Sequence, residues 1–270
     1  MDIKFEKWQG LGNDFIILEN ADATSDLAKI LCNRNFGIGA DGLFSAVKFD
    51  RTHGPENADI AWKFYNSDGS IAQMCGNGMR CFAKYVYDKG IIRKQKFSVQ
   101  TLAGIVIPEI LETGKVQVDM GLPVFDPARI PTKAENPLDF KVEGFNAAAV
   151  SMGNPHCVIF TDDDTKKLAL EYGPEIEVSP FFPEKTNVEF VKIKSRKQIQ
   201  VDVYERGCGI TLACGTGACA SVVLGVKKGL LDDEVDVILP GGELKIQYTE
   251  GSHVYMTGDA KKVFSGVWYK

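Results

Sequence analysis

The chain has 270 residues, 44% hydrophobic and 25% charged, enough apolar material for one large or two modest globular domains, which excludes general disorder. Its 31 Lys and Arg against 36 Asp and Glu leave a formal charge of -5, so no basic field draws it to nucleic acid or to an anionic membrane. No apolar run reaches the roughly 20 residues that span a bilayer, and the start MDIKFEKWQG lacks the regions of a signal peptide, so a cytoplasmic protein is expected.

In chain order, the first predicted element is a strand holding Gly12-Asn13 and the run FIIL. A helix follows, with Ser25 or Asp26 before LAKILCNRN and Gly37 after it. The period-2 stretch DIAWKFYN predicts a strand, and a Gly-rich turn then leads into a second helix ending at Gly90. Short strands such as KVQVDM close the half, and the Pro-rich stretch Pro123 to Pro137 reads as a linker. The order then recurs. Gly153-Asn154 precedes HCVIF, and a helix runs from Asp163 or Asp164 through TKKLALEY to a stop at Gly173-Pro174. QIQVDVYE is a strand, a Gly-rich turn opens a helix ending at Gly229, and strands follow to HVYMTG. The last stretch, KKVFSGVWYK, is expected to pack back on the first domain.

This order reflects an internal repeat. An offset of 139 lays Ile60 to Gly90 on Ile199 to Gly229 without a gap, with 8 of 31 pairs identical, among them Tyr65/Tyr204, Cys75/Cys214, Gly76/Gly215 and Gly78/Gly217. Average composition gives roughly two by chance. The expected division is residues 1–119 with 260–270, carrying Cys75, and residues 120–259, carrying Cys214. Many strands per helix make the class α+β rather than a doubly wound parallel sheet.

Seven cysteines, odd in number and without two CxxC pairs, predict thiols rather than a disulfide framework or a zinc ribbon. Two of them, Cys75 and Cys214, sit in Cys-Gly-x-Gly immediately before a helix, where backbone N–H groups lack partners and the dipole is positive. An anion is stabilised there, whether a thiolate or a substrate carboxylate that the glycines allow to approach. A single such loop is ordinarily a buried cysteine with turn glycines. Two at equivalent positions point to matched acid and base groups. Inversion of a carbon acid needs that pair: one thiolate removes the α-proton from one face and a thiol returns a proton to the other. No pyridoxal-phosphate lysine motif and no metal-ligand cluster around the three histidines is visible, so no cofactor and no metal are expected.

MCGNGMRC around Cys75, ERGCGITLACGTGACA around Cys214, GLGNDF near the start and MGNPH at 152–156 strongly resemble diaminopimelate epimerase. The resemblance spans essentially the whole chain. It implies two similar pseudo-twofold-related domains, each a mostly antiparallel sheet wrapped around a central helix. It further implies cofactor-independent conversion of LL-2,6-diaminopimelate to the meso form, serving lysine and peptidoglycan precursor synthesis, in a homodimer. Carried over, Cys75 is the proton donor and Cys214 the acceptor from LL to meso. Substrate contacts fall on Asn13, Asn66, Gly76, Asn77, Asn154, Asn187, Glu205, Arg206, Gly215 and Thr216, and His156 and Glu205 join the catalytic group. Arg206 suits a carboxylate, Glu205 an ammonium, and the asparagines address both without added charge. Cys32, Cys81, Cys157 and Cys219 read as structural, and His53 and His253 as surface.

Three departures from the family pattern stand out: Gly42 where Gln is frequent, Cys208 and Ile210 in GCGIT where GAGET is usual, and Phe264 where a dimer-supporting Tyr is common. The nearest alternative is a proline racemase or hydroxyproline epimerase, although those carry His where Asn77 stands here. A dithiol redox sensor using Cys75 and Cys214 is the alternative from a different class.

Overall fold

The computed structural model describes residues 2–47 and 58–269, so His53 lies outside the described residues. The first elements are β1 (Ile3–Gly10), β2 (Asn13–Leu18), α1 (Ser25–Leu31), β3 (Gly42–Val47), β4 (Ile60–Asn66), α2 (Gly76–Asp88), β5 (Val99–Thr101), β6 (Gly104–Val106), β7 (Pro108–Ile110) and β8 (Val116–Asp119). Then come β9 (Phe140–Val142), β10 (Phe145–Ser151), β11 (Pro155–Phe160), α3 (Thr165–Glu177), β12 (Asn187–Ser195), β13 (Gln198–Glu205) and β14 (Gly209–Ile210). The chain ends with α4 (Gly215–Lys227), β15 (Glu234–Leu239), β16 (Gly242–Gln247), β17 (Tyr255–Gly258) and β18 (Lys261–Trp268). No described helix is long and apolar enough to cross a membrane.

Two compact units result, Met1–Val118 with Gly258–Lys270, and Asp119–Thr257. In the first, the sheet order is β18-β1-β2-β3-β4-β5-β6, mixed because β2/β3 and β4/β5 run parallel. Phe15, Ile16, Ile17 and Leu18 in β2 are all buried, as expected of a strand covered on both faces. Ile16 and Leu18 join Ala28, Leu31 and Leu43 on the α1 side. Phe44 and Trp62 meet Phe82 of α2 on the other side, with ring centroids 6.4 and 5.6 Å apart. The C-terminal strand β18 pairs antiparallel with β1, held by Lys262 Nζ on the buried Glu6 carboxylate at 2.6 Å and by Phe264 edge-on to Phe5.

The second unit repeats the plan. Its sheet runs β17-β16-β15-β13-β12-β11-β10-β9, with β11/β12 and β13/β15 parallel and β14 beside β13. One face packs Ala147, Ala149, Cys157, Val188 and Phe190 against Ala169 and Ile176 of α3. The other is covered by α4, which is buried from Gly217 to Gly225 and apolar all round, the composition of a central helix. Both helices that begin at a cysteine end alike. Gly90 and Gly229 adopt φ of +68° and +70°, each N–H bonding the carbonyl three residues back, at Tyr87 and Val226. Ile91 and Leu230 reach back five residues, to Val86 and Gly225, completing Schellman motifs.

Three sequence expectations are corrected. The first helix starts one residue early, with Thr24 as its cap, and stops at Leu31 rather than near Gly37, because the backbone N–H groups of Ile38 and Gly39 return to the Leu31 carbonyl. The stretch from Pro123 to Pro137 is no linker. Val124 bridges to Ser151, Lys133 N–H bonds Phe181, and Ile130 is fully buried in the core of the second unit. Gly173-Pro174 does not stop α3, which continues to Glu177. Proline costs the helix only one N–H, and the carbonyl deprived of it belongs to Leu170, a solvent-exposed residue.

Gly173 is there for clearance: a Cβ would stand 2.6 Å from Tyr204 Cβ on β13. Helix propensity alone would make Gly173→Ala stabilising by about 1 kcal/mol. Overpacking reverses the sign, and we expect a net loss of about 1–3 kcal/mol, read as a lower urea midpoint at unchanged m-value.

Candidate active site

In the first unit, β1 and β2 meet at a two-residue turn, Leu11 and Gly12, with φ of 58° and 84°. Positive φ at both centres is the twist a tight hairpin requires, and at Leu11 a non-glycine residue bears that strain. The turn delivers Asn13. Its Nδ2 donates to Asp41 Oδ2 at 2.7 Å, and its Oδ1 accepts from Asn77 Nδ2 at 3.3 Å and from the Cys75 thiol at 3.6 Å. Behind Asn13 lies a charge network. Arg34 donates to Asp14 at 2.8 Å and Asp41 at 2.7 Å, and Lys7 pairs with Asp14 at 2.6 Å. Burial alone would raise the Asp14 carboxyl, but hydrogen bonds from Arg34 and Lys7 hold it down to about 2.

Cys75 caps α2 in extended conformation, its sulfur accepting from the Gly78 N–H at 3.4 Å. A Cβ at Gly78 would come 2.6 Å from the Phe44 ring, so that glycine is required by the protein's own aromatic cluster. Gly76 is the first residue of the helix and is buried. Asn66 ends β4 opposite Gly42 and donates to Ser70 Oγ at 2.9 Å. Gly42 itself has no room for a side chain, since a Cβ would lie 2.5 Å from Phe64.

The second unit places Asn154 at the matching hairpin, after Gly153 with φ 92°. Its Nδ2 lies 3.4 Å from Thr216 Oγ1, which is 3.5 Å from Cys214 Sγ. Its Oδ1 lies 3.0 Å from His156 Nε2, and His156 Nδ1 is 2.7 Å from Glu189 Oε1. His156 and Glu189 are both fully buried. Burial pushes the Glu189 carboxyl up against the opposing pull of His156. At Gly217 a Cβ would stand 2.7 Å from Glu189 Oε1, so the second glycine of this motif likewise clears an internal side chain.

Cys214 caps α4, and Gly215 opens the helix. Burial pushes the Cys214 thiol well above the ordinary range, and the neighbouring Glu205 and Glu189 side chains add to that, while donors at Thr216 and the Gly217 N–H work against it. Glu205 is raised in turn, first by burial, and accepts hydrogen bonds from Thr211 and the Cys214 thiol. Cys214 and Glu205 are thus hydrogen-bonded to one another next to a helix N-terminus. Asn187 is occupied by backbone, donating to the Pro155 carbonyl at 2.8 Å and accepting from the Arg206 N–H at 3.0 Å. It thereby joins the Asn154–His156 strand to the Glu205–Arg206 corner. The Arg206 guanidinium reaches the Glu184 carbonyl at 3.4 Å, and the next N–H, of Gly207, bonds Glu177 at 2.8 Å.

The remaining thiols Cys32, Cys81, Cys157 and Cys219 are buried, and burial raises Cys32 and Cys81 to about 12. Cys208 is exposed at the corner before β14, and Ile210 is partly exposed beside it. His253 is exposed and pairs with Asp119 at 2.8 Å. Among the described residues, no group of three or more His, Cys, Asp or Glu is placed to hold a metal ion. Sequence reading passes over Glu189, Asp41 and Thr211. Only Glu189 leaves a signal, a carboxylate inside the apolar run NVEFV where both neighbours are buried.

Three comparisons place the chain. The sequence model described as diaminopimelate epimerase matches residues 5–125 and 148–263. A diaminopimelate epimerase from Carboxydothermus hydrogenoformans is 48% identical over 99% of this chain and 100% of its own length, and one from Halothermothrix orenii 45% over 98% of each. Solved structures share the fold at 14% identity. A phenazine biosynthesis protein of the PhzF family from Bacillus anthracis superposes with a TM-score of 0.70 over all of both chains, and a hydroxyproline epimerase from Agrobacterium vitis with 0.64 over 99% of this chain and 92% of its own. With most of its length matched and nearly half its residues identical to full-length relatives, the chain belongs to the diaminopimelate epimerase family.

Proposed function

We propose that the protein interconverts LL- and meso-2,6-diaminopimelate in the cytoplasm, on the route to lysine, by moving protons between two thiols without a cofactor. The observation that carries this reading is the hydrogen bond between the buried Cys214 and the half-buried Glu205 at the N-terminus of α4, which we read as one proton held by the pair. Passing that proton from sulfur to Glu205 turns thiol and carboxylate into thiolate and carboxylic acid. The pair carries one negative charge before and after, so the step avoids burying a second charge. Thr216 and the Gly217 N–H are placed to receive the charge as it moves to sulfur.

The thiolate then takes the substrate's α-proton, the electron pair remains on the α-carbon and its carboxylate, and the Cys75 S–H bond breaks to deliver a proton to the opposite face. Backbone N–H groups in the first turns of α2 and α4 suit the substrate carboxylate, Arg206 suits the distal carboxylate, and Asn66 and Asn77 add neutral polar contacts. In the reverse direction the two sulfurs exchange roles. The active form we propose is a homodimer through β18, an edge strand on which Val263, Phe264 and Val267 are exposed.

In deuterated water, LL-diaminopimelate should gain label at the inverted carbon, and proline should not. Cys75→Ala and Cys214→Ala should each cut kcat by about 100-fold or more in folded protein; near-normal turnover in either would refute the two-thiol assignment.

The pH dependence has a defined sign. Glu205 is raised by burial, so the Cys214–Glu205 pair takes up its second proton above the usual carboxylate range, and kcat/KM should fall as pH drops through that raised value. Glu205→Gln should remove this limb and lower kcat about 100-fold. A limb at an ordinary carboxylate value, kept in Glu205→Gln, would assign it elsewhere.

Phe264→Asp should convert a dimer to monomer in sedimentation velocity; an unchanged sedimentation coefficient rules out this interface.

A further inference from the structure

The duplicated halves carry equivalent asparagines, Asn13 and Asn154, each after a glycine in the hairpin beside its cysteine, and the two amides are held in opposite senses. Behind Asn13 stands an acceptor. The Asp41 carboxylate cannot donate, so the Asn13 NH2 faces it at 2.7 Å and the amide oxygen turns to the Cys75 thiol, which donates to it. Asp41 is itself fixed, one oxygen by Arg34 and the other by the Asp14 N–H as well as Asn13.

Behind Asn154 stands a donor. Glu189 is fully buried and its Oε2 has no hydrogen-bond partner among the described residues, a condition that a neutral carboxyl's carbonyl oxygen tolerates better than a carboxylate oxygen. The proton then lies between Oε1 and His156 Nδ1, and Nε2 carries a hydrogen aimed at Asn154 Oδ1. The Asn154 NH2 is left to donate to Thr216, and because the Cys214 thiol hydrogen goes to Glu205, the Thr216 hydroxyl hydrogen is the one free to point on to Cys214 Sγ. Every donor in this relay points toward the sulfur.

We propose that Asp41 in one half and the Glu189–His156 pair in the other are positioning residues that set the two asparagine amides in opposite senses, so that Cys75 meets an acceptor that keeps its proton and Cys214 meets a donor that lets its proton leave. The geometry stands by itself, and its role in turnover rests on the two-thiol reading above. Other ionisable groups share the setting: Glu205 and Glu189 face Cys214, His156 faces Glu205, and Cys81 on the same helix faces Cys75.

Each thiol's titration can be read without activity, from pH-dependent iodoacetamide labelling of the full chain with the Cys75 and Cys214 peptides quantified by mass spectrometry. Circular dichroism checks the fold, and kcat/KM on LL-diaminopimelate is measured against pH on the same samples. Asp41→Asn should lower the Cys75 midpoint by about half to one pH unit, a three- to tenfold rise in thiolate at a given pH, without moving Cys214. The alkaline limb of kcat/KM should move down with it. Thr216→Val should raise the Cys214 midpoint by a similar amount and carry the acidic limb upward. Glu189→Leu should do the same, whereas Glu189→Gln, which still donates to Nδ1, should leave the midpoint in place. Unmoved midpoints in folded variants, or both cysteines moving together, overturn the proposal. Should Asp41→Asn fail to fold, Asn13→Ala removes the same acceptor and carries the same expectation. If the wild-type chain proves inactive on diaminopimelate, the two-thiol reading fails while the labelling midpoints still decide the polarity.

Discussion

Each helix that begins at a cysteine is driven so far into the face of its sheet that its first turn cannot carry a side chain at its third residue. At Gly78 the obstacle is the Phe44 ring, and at Gly217 it is the Glu189 carboxyl. This close approach puts the N-terminus of a helix, with the N–H groups that lack intrahelical acceptors, into a dry environment where charge interactions are strong. It also explains why burial is the largest influence on Cys214, Glu205 and Glu189 alike. A buried thiol is a poor acid by itself. In the proposed mechanism Cys214 is given a carboxyl neighbour whose own affinity for the proton is raised by the same burial, so that two unfavourable shifts offset one another.

Duplication supplies two copies of this arrangement, and divergence has made them unequal. The backbone devices are shared: a cysteine in extended conformation as cap, a Schellman close at Gly90 and Gly229, and a hairpin bringing an asparagine to the sulfur. The side chains behind the asparagines are not shared. The first half surrounds Asn13 with the charges of Asp14, Arg34, Asp41 and Lys7, whereas the second encloses Asn154 with a buried histidine and carboxyl. A reaction that removes a proton from one side of a carbon and returns one to the other needs equivalent positions and non-equivalent proton affinities. In the proposed mechanism, a backbone shared by the two halves with different polar neighbours meets both needs.

What the sequence makes legible follows the range of the interaction. Caps, C-terminal glycines and the repeat are visible because each is encoded within a few residues or by direct comparison of two segments. The family, and with it the fold, is legible from four short motifs taken together. Glu189 is not, because its meaning depends on β12 lying parallel to β11 with His156 opposite Asn187, a register no local pattern encodes. Asp41 likewise acts on Asn13 across 28 positions of chain. The misread segments have the same cause. Pro123 to Pro137 has a linker's composition, yet tertiary packing buries Ile130, and Gly173-Pro174 has the composition of a helix stop, yet its glycine is needed for clearance from Tyr204.

Gly42 shows how closely packing and chemistry are joined here. As a departure from the family pattern expected from the sequence, it reads as a lost side-chain contact. In the fold there is no gap, because Phe64 fills the space and packs with Phe15 and Phe44, with ring centroids 6.1 and 4.3 Å away. Phe44 is also the ring that excludes a side chain at Gly78 and thereby seats the Cys75 helix. Restoring a long polar side chain at position 42 would therefore displace Phe64, loosen Phe44 and disturb the N–H groups beside Cys75. Glycine at position 42 thus admits aromatic packing that supports the Cys75 helix from behind.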